Sequence, residues 1–445
     1  MSTPHDNAPH GDQSLARAAR ASRWLLWRNR DFRTLWAGHT VSMFGSQITP
    51  VAMPLIAALT LQATPAQMAV LLTLQYTPAT LLGLFAGVWV DRMRRRPIMI
   101  MSDLARALLL LVLPLAAGLG LLRMEVLYLM TFLLGIGGLF FGVADAAFLP
   151  ALVHREQLVA ANSALATSSS VARIAGPGLA GVLVQWLTAP IAVVFDALSF
   201  IASAWAAFAI RTPEPLPSSA EQRPKMWAAI WEGLHTIVGN PFLRAFTLSS
   251  TTFDVFWNAL YAMYVLYLTR VLGLPPTALG VILACGSAGA LAGSLLADRV
   301  TRHVGVGPAV VGAQCLIGSA SLLIPLASWW PATGLPLLIA AEFIQSCVGT
   351  IYGITRYSLT QAITPDRLRG RVDASNSFIG LLPAVLGTLA GGALGEWIGV
   401  TPTIVLGASG GVLAFLWVLL SPIRMLRTIP PPSELGGEDT GNLMR

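Results

Sequence analysis

The chain has 445 residues, 55% hydrophobic and 11% charged, with a formal net charge of +7 and a mean hydropathy of +0.68. Soluble domains carry about 25% charged residues, so a chain this apolar has too little polar surface for water and takes the bilayer as its solvent. Lys225 is the only lysine among the 28 Lys and Arg residues, which rules out the Gly-Lys-Ser/Thr phosphate cradle of an ATP-driven pump.

Residues 1–33 are polar and arginine-bearing, without an apolar core followed by a cleavage site, and read as a cytoplasmic N-terminal tail. A spanning helix needs roughly 20 mostly apolar residues. Twelve such runs follow, near 34–60, 67–90, 98–121, 125–149, 159–187, 190–210, 243–269, 276–297, 307–328, 334–359, 372–398 and 401–421. Turn clusters such as Ala63-Thr-Pro65-Ala and Leu274-Pro275-Pro276 separate them. The expected organisation is an N-terminal bundle over 34–210, a cytoplasmic linker over 211–242, a C-terminal bundle over 243–421 and a cytoplasmic tail over 422–445.

Arginine placement orients these runs. The connections after odd-numbered spans hold Arg123 and Arg270 as their only basic residues. The connections after even-numbered spans hold Arg92 to Arg96, Arg155, Arg211 to Lys225, Arg299, Arg302, Arg367, Arg369 and Arg371. By the positive-inside bias, both termini lie in the cytoplasm, and the arginines anchor a membrane surface and not nucleic acid. Cys285, Cys315 and Cys347 fall inside apolar runs with no metal-ligand spacing, so no metal, cofactor or disulfide framework is expected.

Between the second and third runs stands Gly83-Leu-Phe-Ala-Gly87-Val-Trp-Val-Asp91-Arg92-Met-Arg94-Arg95-Arg96. Glycines four apart let another helix approach closely. Gly289-Ala-Leu-Ala-Gly293-Ser-Leu-Leu-Ala-Asp298-Arg299 echoes it 207 residues on. A second echo, at an offset of 214, pairs Ala160-Ala-Asn162-Ser163 with Ala374-Ser-Asn376-Ser377. Two copies of one six-span unit account for both, an internal symmetry found in secondary transporters.

These residues resemble the major facilitator superfamily over about 30–425. Gly87, Asp91, Arg92 and Arg94 to Arg96 match its motif after the second span. Phe195-Asp196-Ala-Leu-Ser-Phe200, Ala172-Arg173-Ile-Ala-Gly176-Pro177 and Pro365-Asp366-Arg-Leu-Arg369-Gly370-Arg371 resemble its drug:proton antiporter branch with macrolide, tetracycline and enterobactin exporters. The fifth-span antiporter motif is met in part, with Ala180 in place of the first paired glycine. The resemblance implies an all-α membrane fold of twelve helices in two six-helix bundles, with spans one, four, seven and ten lining a central cavity. It implies proton-coupled efflux of amphipathic small molecules by alternating access, in an inner (cell) membrane, by a monomer with a small-molecule substrate and protons as partners. Export of a siderophore or other native metabolite, or lysophospholipid transport, are alternatives within the fold. A polytopic enzyme would need clustered Asp or a His/Asp pair at the membrane face, and the sequence shows no such cluster.

Ionisable groups at membrane depth are costly and mark function. Counting 1.5 Å per residue puts Asp254 and Glu342 near mid-depth, as proton-coupling candidates. Arg173 and Asp196 come to similar depth as an intramembrane ion pair, with cavity-facing Arg173 as the other reading. Asp103 and Arg106, three apart, read as a local pair, and His39 as a helix-interface histidine. Asp145 and Arg356 are gate candidates at the cytoplasmic ends of opposite halves. Gly87, Asp91, Arg92 and Arg95 form a conformational latch in which the Asp91 carboxylate meets the N-terminus of span eleven when the cytoplasmic side closes. Met43, Phe141, Trp257, Asn258, Tyr261 and Gln345 are substrate-cavity candidates, an aromatic, Met-containing wall suited to bulky amphipathic compounds.

Overall fold

The computed structural model describes residues 27–214, 226–330 and 333–428, except for the side chains of Leu84, Val88, Asp91, residues 226–230 and Asp366. Among them every regular element is a helix. In chain order these are α1 (Arg30–Thr60), α2 (Pro65–Asp91), α3 (Arg95–Gly118), α4 (Met124–Leu152), α5 (Leu158–Leu187), α6 (Ala189–Ala209) and α7 (Met226–Gly239). Then come α8 (Pro241–Leu266), α9 (Pro276–Val304), α10 (Val306–Leu326), α11 (Gly334–Ile363), α12 (Asp366–Trp397) and α13 (Val400–Leu419). Among the described residues nine are long and apolar enough to cross a membrane; α2, α5 and α8, of 27, 30 and 26 residues, alternate with them.

Local chemistry sets the boundaries. Thr64 and Gln67 form a capping box ahead of Pro65, each side chain accepting from the other's backbone N–H. Asn240 caps α8 by accepting from Phe242 and Leu243. The Glu214 carboxylate caps α3, accepting from the N–H groups of Arg95 at 2.5 Å and Arg96 at 3.2 Å. Asp31 accepts from Arg211 and Thr212, so the start of the linker is stitched to the first bundle.

The internal repeat is visible in the backbone. α1 ends in a π turn at Ile56–Thr60, and α8 runs into one at Tyr267–Val271. Pro65 and Pro276 open the next helices, 211 residues apart. The same spacing relates the hinge residues Thr188 and Gly399, which turn α5 into α6 and α12 into α13 with φ of 77° and 95°. The Asp298 echo departs from its partner: Asp91 closes α2, whereas α9 continues through Asp298, which bonds Arg302 one turn on, Nε to Oδ1 at 2.8 Å.

Two differences from expectation concern the linker and the loops beside it. Inside 211–242 lies α7, which packs on α12 through an ion pair between Glu232 and Arg371 and through Gly233, whose Cβ position would meet the Arg371 carbonyl oxygen at 2.3 Å. Arg95, read as part of a latch, has its backbone N–H at Glu214 and its guanidinium 3.9 Å from the same carboxylate. Arg92 is exposed, and the Asp91 carboxylate lies outside the described residues.

Packing is asymmetric along the bundle axis. At the end where the arginine-bearing loops emerge there are two separate cores, one around Phe32, Leu35, Met99 and Phe148, the other around Phe246, Leu359, Val372 and Ile423. At the opposite end one core takes in both halves, with Val51, Met53 and Met68 packed in the same cluster as Leu260, Tyr267 and Ile282. The halves touch there along α2–α12 and α5–α9. A Cβ on Gly181 would lie 3.0 Å from the Gly280 Cα, and one on Gly392 would meet the Ala69 Cβ at 2.3 Å. Among the described residues two hydrogen bonds cross the same seam: Arg270 Nη2 to the Ala58 carbonyl at 3.2 Å, and the Ala66 N–H to Glu396 Oε2 at 3.4 Å. Toward the arginine-bearing end the halves separate, and Gly83 and Gly87 of α2 face nothing within 4 Å of their Cβ positions.

Candidate translocation cavity

The separated end opens onto a chain of adjoining cavities built chiefly on α8 and α11. On α11 the residues Glu342, Gln345, Ser346, Gly349, Tyr352 and Arg356 recur three or four apart, so one helix face presents them all. On α8, Phe253, Trp257, Tyr261 and Tyr264 repeat at the same spacing and stack as a ladder, with centroids 5.9, 6.3 and 6.3 Å apart. Asp254 lies one residue along from the first rung.

The first cavity, about 290 Å³, is lined by Asp254, Glu342, Gln345, Trp257 and Arg356 together. The two acids singled out from the sequence therefore face one space. Among the described residues no ion pair reaches either carboxylate, and the Gln345 Nε2 is buried without a partner. Arg356 hydrogen-bonds Ser250 of α8. Glu342 packs across α9 at Gly286, where a Cβ would sit 3.0 Å from Oε1.

A second cavity, also about 290 Å³, shares Glu342 and Ser346 with the first and adds Gln47, Arg173 and Tyr261. A third, about 340 Å³, shares Arg173, Ser287 and Ala290 with the second and lies between α5 and α9. Trp257, Tyr261 and Gln345 thus line these spaces, while Met43, Phe141 and Asn258 do not. Asn258 donates to the Asp254 carbonyl one turn back, at 2.7 Å.

The expected Arg173–Asp196 pair is not formed. Arg173 is exposed on α5 and donates to Ser169 and Ser170 of its own helix. Asp196 is buried on α6 and accepts from Thr49 of α1 and from Ser199 at 3.2 Å. Asp196 turns toward α1, and Arg173 toward the crevice between α5 and α9. Asp145 and Arg356 are likewise apart in this conformation: Asp145 Oδ1 is 2.9 Å from His39 Nε2.

That contact belongs to a cluster that sequence reading saw only in pieces. Asp103 and Arg106 form the local pair expected on α3. The guanidinium lies between the rings of Phe141 and Phe200, 4.7 and 4.0 Å from their centroids, a desolvated cation–π arrangement worth about 2 kcal/mol. Phe141 also packs against His39, at 5.6 Å. Four helices, α1, α3, α4 and α6, are joined through these groups. The signal in the sequence was the presence of ionisable residues inside three apolar runs, His39, the Asp103–Arg106 pair and Asp145.

The family profile of transmembrane secretion effectors matches residues 21–431. The chain belongs to this family of major facilitator transporters. It is 27% identical to the MFS-type transporter YfiS of Bacillus subtilis (strain 168) over 391 residues, covering 84% of this chain and 89% of that protein. It is 23% identical to macrolide efflux protein A of Streptococcus pyogenes over 400 residues, covering 89% and 97%, and 27% identical to the multidrug efflux pump Tap of Mycolicibacterium fortuitum over 344 residues, covering 73% and 80%. In fold it is similar to a bacterial homologue of the iron transporter ferroportin in an inward-facing state, with TM-score 0.68, 17% identity and 88% and 98% coverage. The nucleoside transporter NupG superposes with TM-score 0.67 at 11% identity, covering 88% and 98%. Relatives and fold are those of transporters and not of enzymes.

Proposed function

We propose that the protein is a proton-driven exporter of amphipathic small molecules, working by alternating access of two six-helix bundles, 34–210 and 243–421. The observation that carries this reading is the meeting of Asp254 and Glu342 in one cavity beside an aromatic ladder. A carboxylate at membrane depth that changes its access between the two sides is the group that proton coupling requires. The ladder and Gln345 supply an apolar wall with sparse hydrogen bonding, the lining of a site for bulky amphipathic ligands.

In this reading all of α1–α6 and α8–α13 span an inner membrane, the arginine-bearing end faces the cytoplasm, and both termini lie there. The shared core then seals the outer side, and the conformation is the cytoplasm-open one. The names of the macrolide and multidrug efflux relatives favour export.

The test is transport by purified protein in liposomes with an imposed proton gradient. Uptake of ethidium or erythromycin should follow the gradient and vanish with a protonophore. Asp254→Asn and Glu342→Gln should each abolish gradient-driven transport while substrate exchange continues. Gradient-driven transport at the wild-type rate in both variants rejects the coupling assignment.

A further inference from the structure

We propose that the third cavity, where Arg173 of α5 faces Ser287 and Ser294 of α9 and Thr350 of α11, is a subsite for the anionic headgroup, a carboxylate or phosphate, of an amphipathic cargo. The proposal rests on the reading of the cavities as a transport route.

A guanidinium at this depth is costly unless its charge is used. Arg173 spends two donors on neutral hydroxyls of its own helix, Ser169 at 2.9 Å and Ser170 at 3.4 Å. Neither neutralises it, and among the described residues no carboxylate pairs with it. Its remaining donors form the planar fork that suits a carboxylate or phosphate in a bidentate arrangement.

The surroundings fit an anion. The cavity holds four hydroxyls and no acid: Ser170, Ser287, Ser294 and Thr350. Each donates to a carbonyl of its own helix, Ser287 to Leu283 at 3.0 Å and Thr350 to Ser346 at 2.8 Å, for example. A hydroxyl is a rotor, so each can turn to donate to an incoming oxygen, the helix carbonyl it leaves keeping its backbone N–H. Ile174, Ala290 and Leu291 supply the apolar part of the wall. At about 340 Å³ the space suits a headgroup, and through Arg173 and Ser287 it continues into the cavity that holds Tyr261 and Glu342, where an apolar body would lie.

The cation comes from one half and the facing hydroxyls from the other. An anion held there therefore bridges the halves in the open conformation, and closing the separated, arginine-bearing end of the α5–α9 crevice would displace it from this subsite. Glu342, the nearest acid along the route, shares the middle cavity with Arg173. Cargo anion and Glu342 would then compete for one guanidinium, which ties loading to the proposed proton-coupling acid.

The test is binding by full-length protein in phosphatidylcholine nanodiscs. The probes are dansyl-aminoundecanoic acid and its uncharged methyl ester, which share a tail and fluorophore. Wild type should bind the acid at least tenfold more tightly. Arg173→Gln should remove that preference and leave the ester unchanged, Arg173→Lys should keep most of it, and Ser287→Ala should weaken the acid two- to threefold. Displacement by lysophosphatidylglycerol more strongly than by laurate assigns the headgroup to a lipid; the reverse assigns it to a water-soluble amphiphile. Equal wild-type affinity for acid and ester overturns the proposal, as does equal weakening of both by Arg173→Gln in protein whose melting temperature matches wild type. Charge-selective binding with no proton-driven transport leaves the subsite standing and removes the transport reading instead.

Discussion

His39 on α1 and Asp145 on α4 meet at 2.9 Å through Nε2 and Oδ1, the imidazole almost sealed with 6% of its side chain exposed and the carboxylate open at 28%. Beside them the Asp103–Arg106 pair fixes α3 and the Arg106 guanidinium reaches over to Phe200 of α6. Removing one partner of a buried pair leaves the other uncompensated, at a cost of about 3–5 kcal/mol when both are enclosed. Because Asp145 reaches water, His39→Leu should cost about 1–3 kcal/mol. Thermal unfolding in detergent measures this, and the double variant His39→Leu/Asp145→Leu should recover part of the loss. Strictly additive effects would show that the two groups do not interact.

Among the described residues two polar contacts cross between the halves at the end with the shared core, Arg270 to Ala58 and Ala66 to Glu396. With the orientation proposed above, Arg270→Gln and Glu396→Gln should favour the outward-open conformation, since each removes a contact made only while that end is closed. A cysteine at Trp257 in a background without Cys285, Cys315 and Cys347 reports it. Labelling from outside by a membrane-impermeant maleimide should rise several-fold, and an unchanged rate contradicts the gate.

At the same seam a Cβ on Gly280 would lie 2.5 Å from the Pro177 carbonyl oxygen, whereas one on Gly353 would meet nothing. Gly280→Val should therefore wedge α5 from α9 and lower transport at least tenfold, with outside labelling increased. Gly353→Ala should leave both near wild type. Equal effects of the two substitutions would remove the close-approach argument.

Thr188 holds φ 77° and ψ 154°, a region that side chains rarely enter, where its repeat-mate Gly399 sits without a side chain. Such strain costs about 1–3 kcal/mol, and glycine's greater freedom in the unfolded chain returns about 0.5–1. Thr188→Gly should raise stability by roughly 1 kcal/mol. A lower unfolding temperature would refute the strain.

Helix positions were legible in the sequence because apolar length and breaker clusters act along one dimension. Met226–Gly239 was the exception, an apolar helix hidden behind the Pro-rich, charged start of its linker. The same counting placed Asp254 and Glu342 level with each other, and both line one cavity. Azimuth was not legible. Counting put Arg173 and Asp196 at one depth on neighbouring helices, yet Asp196 turns to Thr49 and Arg173 to the α5–α9 crevice. Which way a side chain faces depends on what packs around the helix, as the glycine contacts at Gly45 and Gly176 show: their Cβ positions fall on Ser199 and Gln47. The direction of Asp145 toward His39 is of the same kind.

The three-core arrangement also bears on how the protein is made. Chains are synthesised from the N-terminus, and early units fold before late ones exist. The core around Phe32, Met99 and Phe148 needs only α1 to α6 and can close as soon as those helices are inserted. The core at the other end cannot, because Met53 and Met68 await Leu260, Tyr267 and Ile282. Until α9 and α12 arrive, the faces of α1, α2 and α5 that join this core lack their partners, and the second half of the chain completes a core that the first half began.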